Sequence, residues 1–227
     1  QMVRPTDAVY TLIGNAHLDR LGDRPGVFKA KTEMLGFMPD NGTVFLNADD
    51  DLLSTCICRQ SKVLYGLSEN ADVRAENIKT ESAAKQTCDI ISGSRRMHVG
   101  IPAYGRHMVY AALEGAAVGI KFGLSDDEII RGIAAYKTVG RRANVIDTGY
   151  ITIIDDCYNA NPDSVKCAID SMAEGGGRKV CILGDMLEMG TERAARHADI
   201  GRYAAQKGVE LLLCVGEMSK NTCRAAD

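Results

Sequence analysis

Apolar positions along the 227 residues follow two rhythms. Up to about residue 139, short apolar runs alternate with amphipathic helix and then crowd together; beyond Gly140 the order strand, loop, helix repeats. The run 8–13 predicts a strand, 26–37 a helix, and Thr43-Val44-Phe45-Leu46-Asn47 a second strand. Runs near 62–66, 73–78, 87–92 and 96–101 follow so closely that an antiparallel section is expected. The stretch "GRHMVYAALEGAAVGIK", 105–121, is a helix whose alanines and glycines let a neighbour approach closely, and "LSDDEIIRGI" opens with Ser125 and Glu128 at capping-box spacing.

In the second rhythm, strand 150–154 leads to helix 163–174, strand 179–184 to helix 192–207, and strand 210–215 to a helix start at 217. "CILGDM" and "LCVGEM" are alike: an apolar strand, then Gly, an acid and Met. That is the pattern of parallel βαβ units, which bind ligands beyond the carboxyl ends of their strands. The change of rhythm divides the chain into 1–138 and 139–227. Three units are few for a complete doubly wound sheet. The chain also opens almost at once on a strand and closes in the first turns of a helix, so a piece of a longer protein is expected.

Composition changes this picture little. A 45% hydrophobic and 25% charged chain is ordinary for a globular protein, and a net charge of −3 argues against a surface built to coat nucleic acid. No apolar run has the length of a membrane span. The eight cysteines include no CxxC pair, and Cys181 and Cys214 lie in strand-like runs, so reduced thiols in a cytoplasmic protein are expected.

The candidate chemistry gathers in a few stretches. In "DDCYNANPDS", 155–164, Asn161 and Pro162 fit an N-cap and first helical position, which leaves Asp155, Asp156, Tyr158 and Asn159 in a loop at a strand's carboxyl end. The helix amides behind them can face an anion; the plainer alternative is that these residues only cap and turn. On the helix near 26–37, Val27, Met34, Leu35 and Met38 share a face, and Lys31 falls on that stripe whereas Lys29 does not. A lysine so placed either snorkels to water or is paired or neutral. A neutral amine can be carboxylated by carbon dioxide to a carbamate. His17 lies just past the first strand, where imidazole can meet a metal or a phosphate. His197 is expected at the surface or as a cap. Glu188 is a turn acid that can also meet an amine, and Asp49-Asp50-Asp51 fits a helix cap better than a cation site.

Taken in order, "NAHLDRLG…KAKTEML", "LNADDDLL", "GRHMVYAAL", "DDCYNANPDS" and "LGDMLEMG" resemble the Mur ligases of peptidoglycan precursor synthesis, over nearly the whole chain. The resemblance implies an α/β fold: the later part of a P-loop-type ATPase domain, then a Rossmann-like doubly wound C-terminal domain, truncated at both ends. It implies an ATP-dependent amide-bond ligase of the bacterial cytoplasm, working as a monomer with ATP and two Mg2+. "YNANP" and "GDMLE" point to the branch that joins D-alanyl-D-alanine to UDP-N-acetylmuramoyl-tripeptide through an acyl phosphate. By motif, His17 and the Lys31 carbamate serve magnesium, while Arg141, Asp156 and His107 serve the nucleotide. Tyr158, Asn159, Asn161 and Glu188 line the substrate cleft.

Two departures stand out. Met108 and Ala111 occupy positions where many members carry adenine-contacting asparagines. The phosphate loop, the early glutamate ligand of the first magnesium and the UDP-sugar domain are absent from these residues and are expected upstream, so the 227 residues alone are expected to be inactive. Two other readings stay open: a different superfamily member such as a folylpolyglutamate synthase, and a non-catalytic ligase-like binding protein.

Overall fold

The structure, a computed structural model, describes residues 4–14, 21–82, 84–103 and 105–227. It forms two compact units, one built around residues 4–13, Arg24–Ala103 and His107–Lys137, the other around Thr138–Asp227.

The first unit carries, among the described residues, a six-stranded sheet in the order β1 (Asp7–Tyr10), β2 (Thr43–Asn47), β3 (Ser61–Gly66), β4 (Val73–Ser82), β5 (Lys85–Ser92), β6 (Arg95–Ile101). Every residue of β2 is buried, as a central parallel strand requires. The expected antiparallel section starts one strand late. β3 pairs in parallel with β2 and with the start of β4, through Tyr65↔Val73 and Gly66↔Arg74 only. β4 then runs past the end of β3 into the antiparallel pairing with β5, and β5 pairs likewise with β6. Alternation of side chains does not encode pairing direction, so the sequence could not separate the two cases.

Helix α1 (Arg24–Thr32) is shorter than the 26–37 expected: a 3-10 turn, Glu33–Phe37, takes over. Gly36 and Pro39 supply poor helix formers where the expected helix would continue. The stripe of Val27 with Met34, Leu35 and Met38 is therefore broken, and Lys31 is exposed. Helix α2 (His107–Lys121) lays Val109, Ala112, Leu113, Ala116 and Ala117 on the core of Phe45, Tyr65, Ile90 and Val99. Helix α3 (Asp126–Ala134) starts with the expected capping box, Ser125 with Glu128.

In the second unit the strand expected at 150–154 is β8 (Thr152–Asp155), and it pairs antiparallel with a strand the sequence did not announce, β7 (Asn144–Asp147). It thus falls in a hairpin, not in the parallel pair that was expected to include it. Its turn explains the difference. The Thr148 amide and hydroxyl both donate to the Ile151 carbonyl, and Gly149 takes a φ of 76°. The other two strands behave as read: β9 (Val180–Gly184) and β10 (Leu211–Val215) run parallel, joined by α5 (Arg193–Gln206). Helix α4 (Pro162–Glu174) and α6 (Ser219–Ala226) complete the unit around Ile169, Cys181, Ile200 and Ala204. Where α5 meets α6, a Cβ on Gly201 would lie 2.0 Å from the Thr222 carbonyl, so only glycine permits this approach.

All eight cysteines are free thiols. Among the described residues no helix is long and apolar enough to cross a membrane.

Glu114 is a half-buried acid of the first unit. The Tyr65 hydroxyl lies 2.8 Å from the Tyr10 carbonyl and 2.8 Å from Glu114 Oε1, and burial pushes the Glu114 carboxyl up despite that hydrogen bond. An acid raised on folding costs nothing below its unfolded pKa, and its penalty grows as pH rises through the unfolded and then the folded value. Glu114→Gln keeps an acceptor for Tyr65. It is expected to unfold at higher temperature than wild type at pH 8, with the gap closing towards pH 4, as read by thermal melts across pH.

Candidate active site

Chemistry-bearing side chains collect at the carboxyl ends of parallel strands in both units and, in the second, also at the end of the antiparallel hairpin of β7 and β8. In the first, the chain leaving β1 is held by its neighbours. The Ile13 amide donates to buried Asp50 (2.8 Å), whose carboxylate also accepts from the amides of Leu52 (3.0 Å) and Leu53 (2.9 Å). Arg24 Nε donates to the Ile13 carbonyl (2.9 Å) and its guanidinium pairs with Asp51, which holds that carboxyl below the usual range. The Asn47 side-chain Nδ2 donates to the Thr11 carbonyl (3.1 Å). Asp49 accepts from the amides of Leu67 (2.5 Å) and Ser68 (3.1 Å) and from the Tyr110 hydroxyl (2.9 Å). Of the triplet, Asp50 caps the following turn as expected, whereas Asp49 clamps the amides of Leu67 and Ser68 and Asp51 pairs with Arg24. Arg24 and Tyr110 are partners here that the sequence did not single out.

Lys31 belongs to the same strand end. Its ammonium donates to the Leu12 carbonyl at 2.8 Å, and its own carbonyl accepts from the Tyr10 hydroxyl at 3.1 Å. It has reached the polar rim by snorkelling and is exposed there. A carbamate at this position would place a hard oxygen donor beyond β1, which would suit magnesium as one ligand. Among the described residues no group of three or more His, Cys, Asp or Glu side chains is placed to hold a metal. His17 lies outside the described residues.

His107 is exposed at the first turn of α2. Met108 and Ala111, on the same helix, face a cavity of about 260 Å3 shared with Ile101, Gly115, Gly132 and Tyr136. Among the described residues the one acid on its wall, Glu128, is engaged by the Ser125 amide (2.9 Å) and hydroxyl (2.7 Å). A base entering this slot would meet apolar surface, not amide groups.

In the second unit, segment 141–143 is zipped to loop 155–158. Arg141 Nε lies 3.2 Å from the Asp155 carboxylate, the Ala143 amide donates to Asp156 (3.0 Å), and the Tyr158 amide donates to the Arg141 carbonyl (3.2 Å). The Arg142 guanidinium stacks 4.1 Å above the Tyr158 ring. Hydrogen bonding from Cys157, and the charge of Arg141, lower the Asp155 carboxyl. Arg141, Asp156, Tyr158 and Asn159 are thereby brought together and exposed. Asn161 is not free to join them with both ends of its amide, because its side-chain oxygen caps α4 by accepting from the Ser164 amide (2.9 Å).

The second loop cluster lies beyond β9 and β10. Asp185 accepts from the Ser219 hydroxyl (2.6 Å), the Ser219 amide (2.8 Å) and the Glu217 amide (3.1 Å), and these bonds lower its pKa to about 2. The loop after it lines a cavity of about 210 Å3 with Glu188, Arg193 and Met218. Glu188 holds a φ of 58°. His197 overturns its surface reading: it is completely buried, accepting from the Met186 amide (2.9 Å) and donating from Nδ1 to the Arg193 carbonyl (2.7 Å). Its spacing four residues after Arg193, on the face that carries Ile200, Gly201 and Ala204, was the available clue.

Both units are thus α/β, with polar and charged side chains gathered at strand ends, the class of architecture in which ligands bind beyond the carboxyl ends of parallel strands. Residues 1–119 match the family described as Mur ligase middle domain, and 141–227 that described as Mur ligase, glutamate ligase domain. The chain belongs to the Mur ligase family. It is 35% identical over 224 residues to the UDP-N-acetylmuramoyl-tripeptide–D-alanyl-D-alanine ligase of Escherichia coli, covering 96% of this chain and 49% of that protein. The crystal structure of MurF from Acinetobacter baumannii superposes with a TM-score of 0.90 at 26% identity, over 99% of this chain and 49% of that one. MurF of Thermotoga maritima, solved with ADP, shares the fold at a TM-score of 0.80 and 19% identity, over 99% of this chain and 61% of that one. The chain thus spans about half the length of the curated relatives it matches.

The clamp at Asp185 depends on Gly216, which adopts a φ of 121° and whose Cβ, if present, would sit 2.2 Å from the Asp185 carboxylate. Gly216→Ala combines backbone strain with overpacking, and is expected to destabilise the second unit by about 2–4 kcal/mol. Urea unfolding of the variant beside wild type measures it.

Proposed function

We propose that the chain is the later part of the ATPase domain, residues 1–138, and the C-terminal domain, 139–227, of a ligase that joins D-alanyl-D-alanine to UDP-N-acetylmuramoyl-tripeptide. The observation that carries this reading is the cavity beyond β9 and β10, which offers an acid, Glu188, and a cation, Arg193, within one small pocket. A dipeptide is a zwitterion, and a pocket of paired charge suits its ammonium and its carboxylate.

In the reaction, ATP phosphorylates the tripeptide's terminal carboxylate. The dipeptide's neutral amine then attacks the acyl carbon and phosphate leaves. Glu188 orients the amine and accepts a hydrogen bond from it. Arg193 takes the dipeptide carboxylate, which keeps the negative end away from the acyl phosphate. Arg141, released from its exposed pairing with Asp155, meets nucleotide phosphate; such a surface pair is worth little and yields readily. Asp156 faces the ribose hydroxyls, His107 lies with the nucleotide, and Tyr158 and Asn159 line the acceptor side with Asn161. Magnesium, held in part by His17 and the Lys31 carbamate, would offset the crowded phosphate charge. The apolar slot at Met108 and Ala111 takes the base by stacking and dispersion rather than by amide hydrogen bonds.

The test is phosphate release from ATP by the full-length ligase, with UDP-N-acetylmuramoyl-tripeptide and either D-alanyl-D-alanine or single amino acids as acceptor. Release is expected to require the dipeptide. Lys31→Ala is expected to lose about 100-fold or more, the scale of removing one transition-state electrostatic contact, and to regain part of it with added acetate or formate. Release stimulated by no acceptor would sink the ligase reading in favour of a binding protein. Release stimulated by glutamate would point to another branch of the superfamily.

A further inference from the structure

We infer that His197 is a positioning residue that sets the shape of the dipeptide pocket from behind, resting on the assignment of that pocket proposed above. The imidazole is completely buried and does not line the cavity, so it cannot touch a ligand there. A buried imidazole is tolerated only when both ring nitrogens are matched. Here one nitrogen faces an N–H and the other a carbonyl, and only the tautomer protonated on Nδ1 satisfies both.

What those two partners are gives the inference its content. The Met186 amide lies at the start of loop 185–190, two residues past β9, and Arg193 closes the same segment as the first residue of α5. One side chain therefore ties the two ends of the cavity wall together. Between them Glu188 is held at a φ of 58°, a conformation that a residue with a side chain keeps only when its surroundings impose it. Asp185 fixes the loop's take-off towards 217–219 but does not reach its far end. Removing the imidazole's hydrogen bonds leaves the Met186 amide buried without an acceptor, and the 186–190 segment free to relax away from the geometry that presents Glu188.

The experiment compares His197→Phe, which fills the volume without hydrogen bonds, and His197→Gln, which keeps one acceptor and one donor. In the 227-residue chain, amide exchange at Met186 and Glu188 is expected to rise about tenfold in the Phe variant, the effect of one net hydrogen bond, with Ile169 and Ala204 unchanged and the Gln variant in between. In the full-length ligase the KM for D-alanyl-D-alanine is expected to rise about tenfold in the Phe variant, with kcat and the KM for ATP within about twofold, and the Gln variant is expected to recover most of the loss. Unchanged exchange at Met186, or a kcat and ATP KM that fall together with the dipeptide KM, overturns the inference. Should the Phe variant not fold, nitrogen-15 shifts of the wild-type imidazole decide: protonation on Nδ1 supports the tether and protonation on Nε2 refutes it. A wild-type ligase that ignores the dipeptide sinks the functional assignment alone, since amide exchange still decides whether His197 holds the loop.

Discussion

A strand that ends inside a parallel sheet leaves backbone amides and carbonyls with no ladder partner, and buried groups of that kind must be paired. This molecule meets the demand with side chains. At β1 the Ile13 amide is taken by Asp50 and the Ile13 carbonyl by Arg24, while the Leu12 carbonyl is taken by Lys31. Beyond β9, Asp185 and His197 collect the amides of Glu217, Ser219 and Met186. The same requirement therefore explains why charged groups sit at strand ends and why the loops there keep a defined shape.

That arrangement has a functional consequence. Side chains spent on backbone are fixed, and those beside them inherit a fixed frame. Asp49, Asp50, Asp185 and Lys31 belong to the first kind; Glu188 and Arg193 stand beside Asp185 on the wall of its cavity. The apolar slot at Met108 and Ala111 is the exception, since it offers shape and dispersion but few directed hydrogen bonds.

Much of the fold was legible because it depends on local rules. The capping box at Ser125 and Glu128, the Asn161-Pro162 start of α4 and the buried run of β2 are each read from a few neighbouring residues. The errors came where the answer depends on distant partners. The direction of β3, the hairpin of β7 with β8, and the shortening of α1 into a 3-10 turn all hinge on which segment lies alongside. Lys31 was picked from a helical stripe that does not persist, yet it lies at the strand end by β1, because α1 crosses the carboxyl end of that strand.

The sequence by itself determined most of the elements in their order, the break in rhythm near residue 139 and the residue types that gather at each strand's end, since periodicity, caps and motif spacing are properties of the chain. Only the tertiary structure decided how those residues are spent. Asp156 became a partner for the Ala143 amide, and His197 a buried tether instead of a surface group. The reason is physical: a polar side chain's role is set by which unpaired backbone groups folding brings within about 3 Å of it, and that proximity is written nowhere in the local sequence.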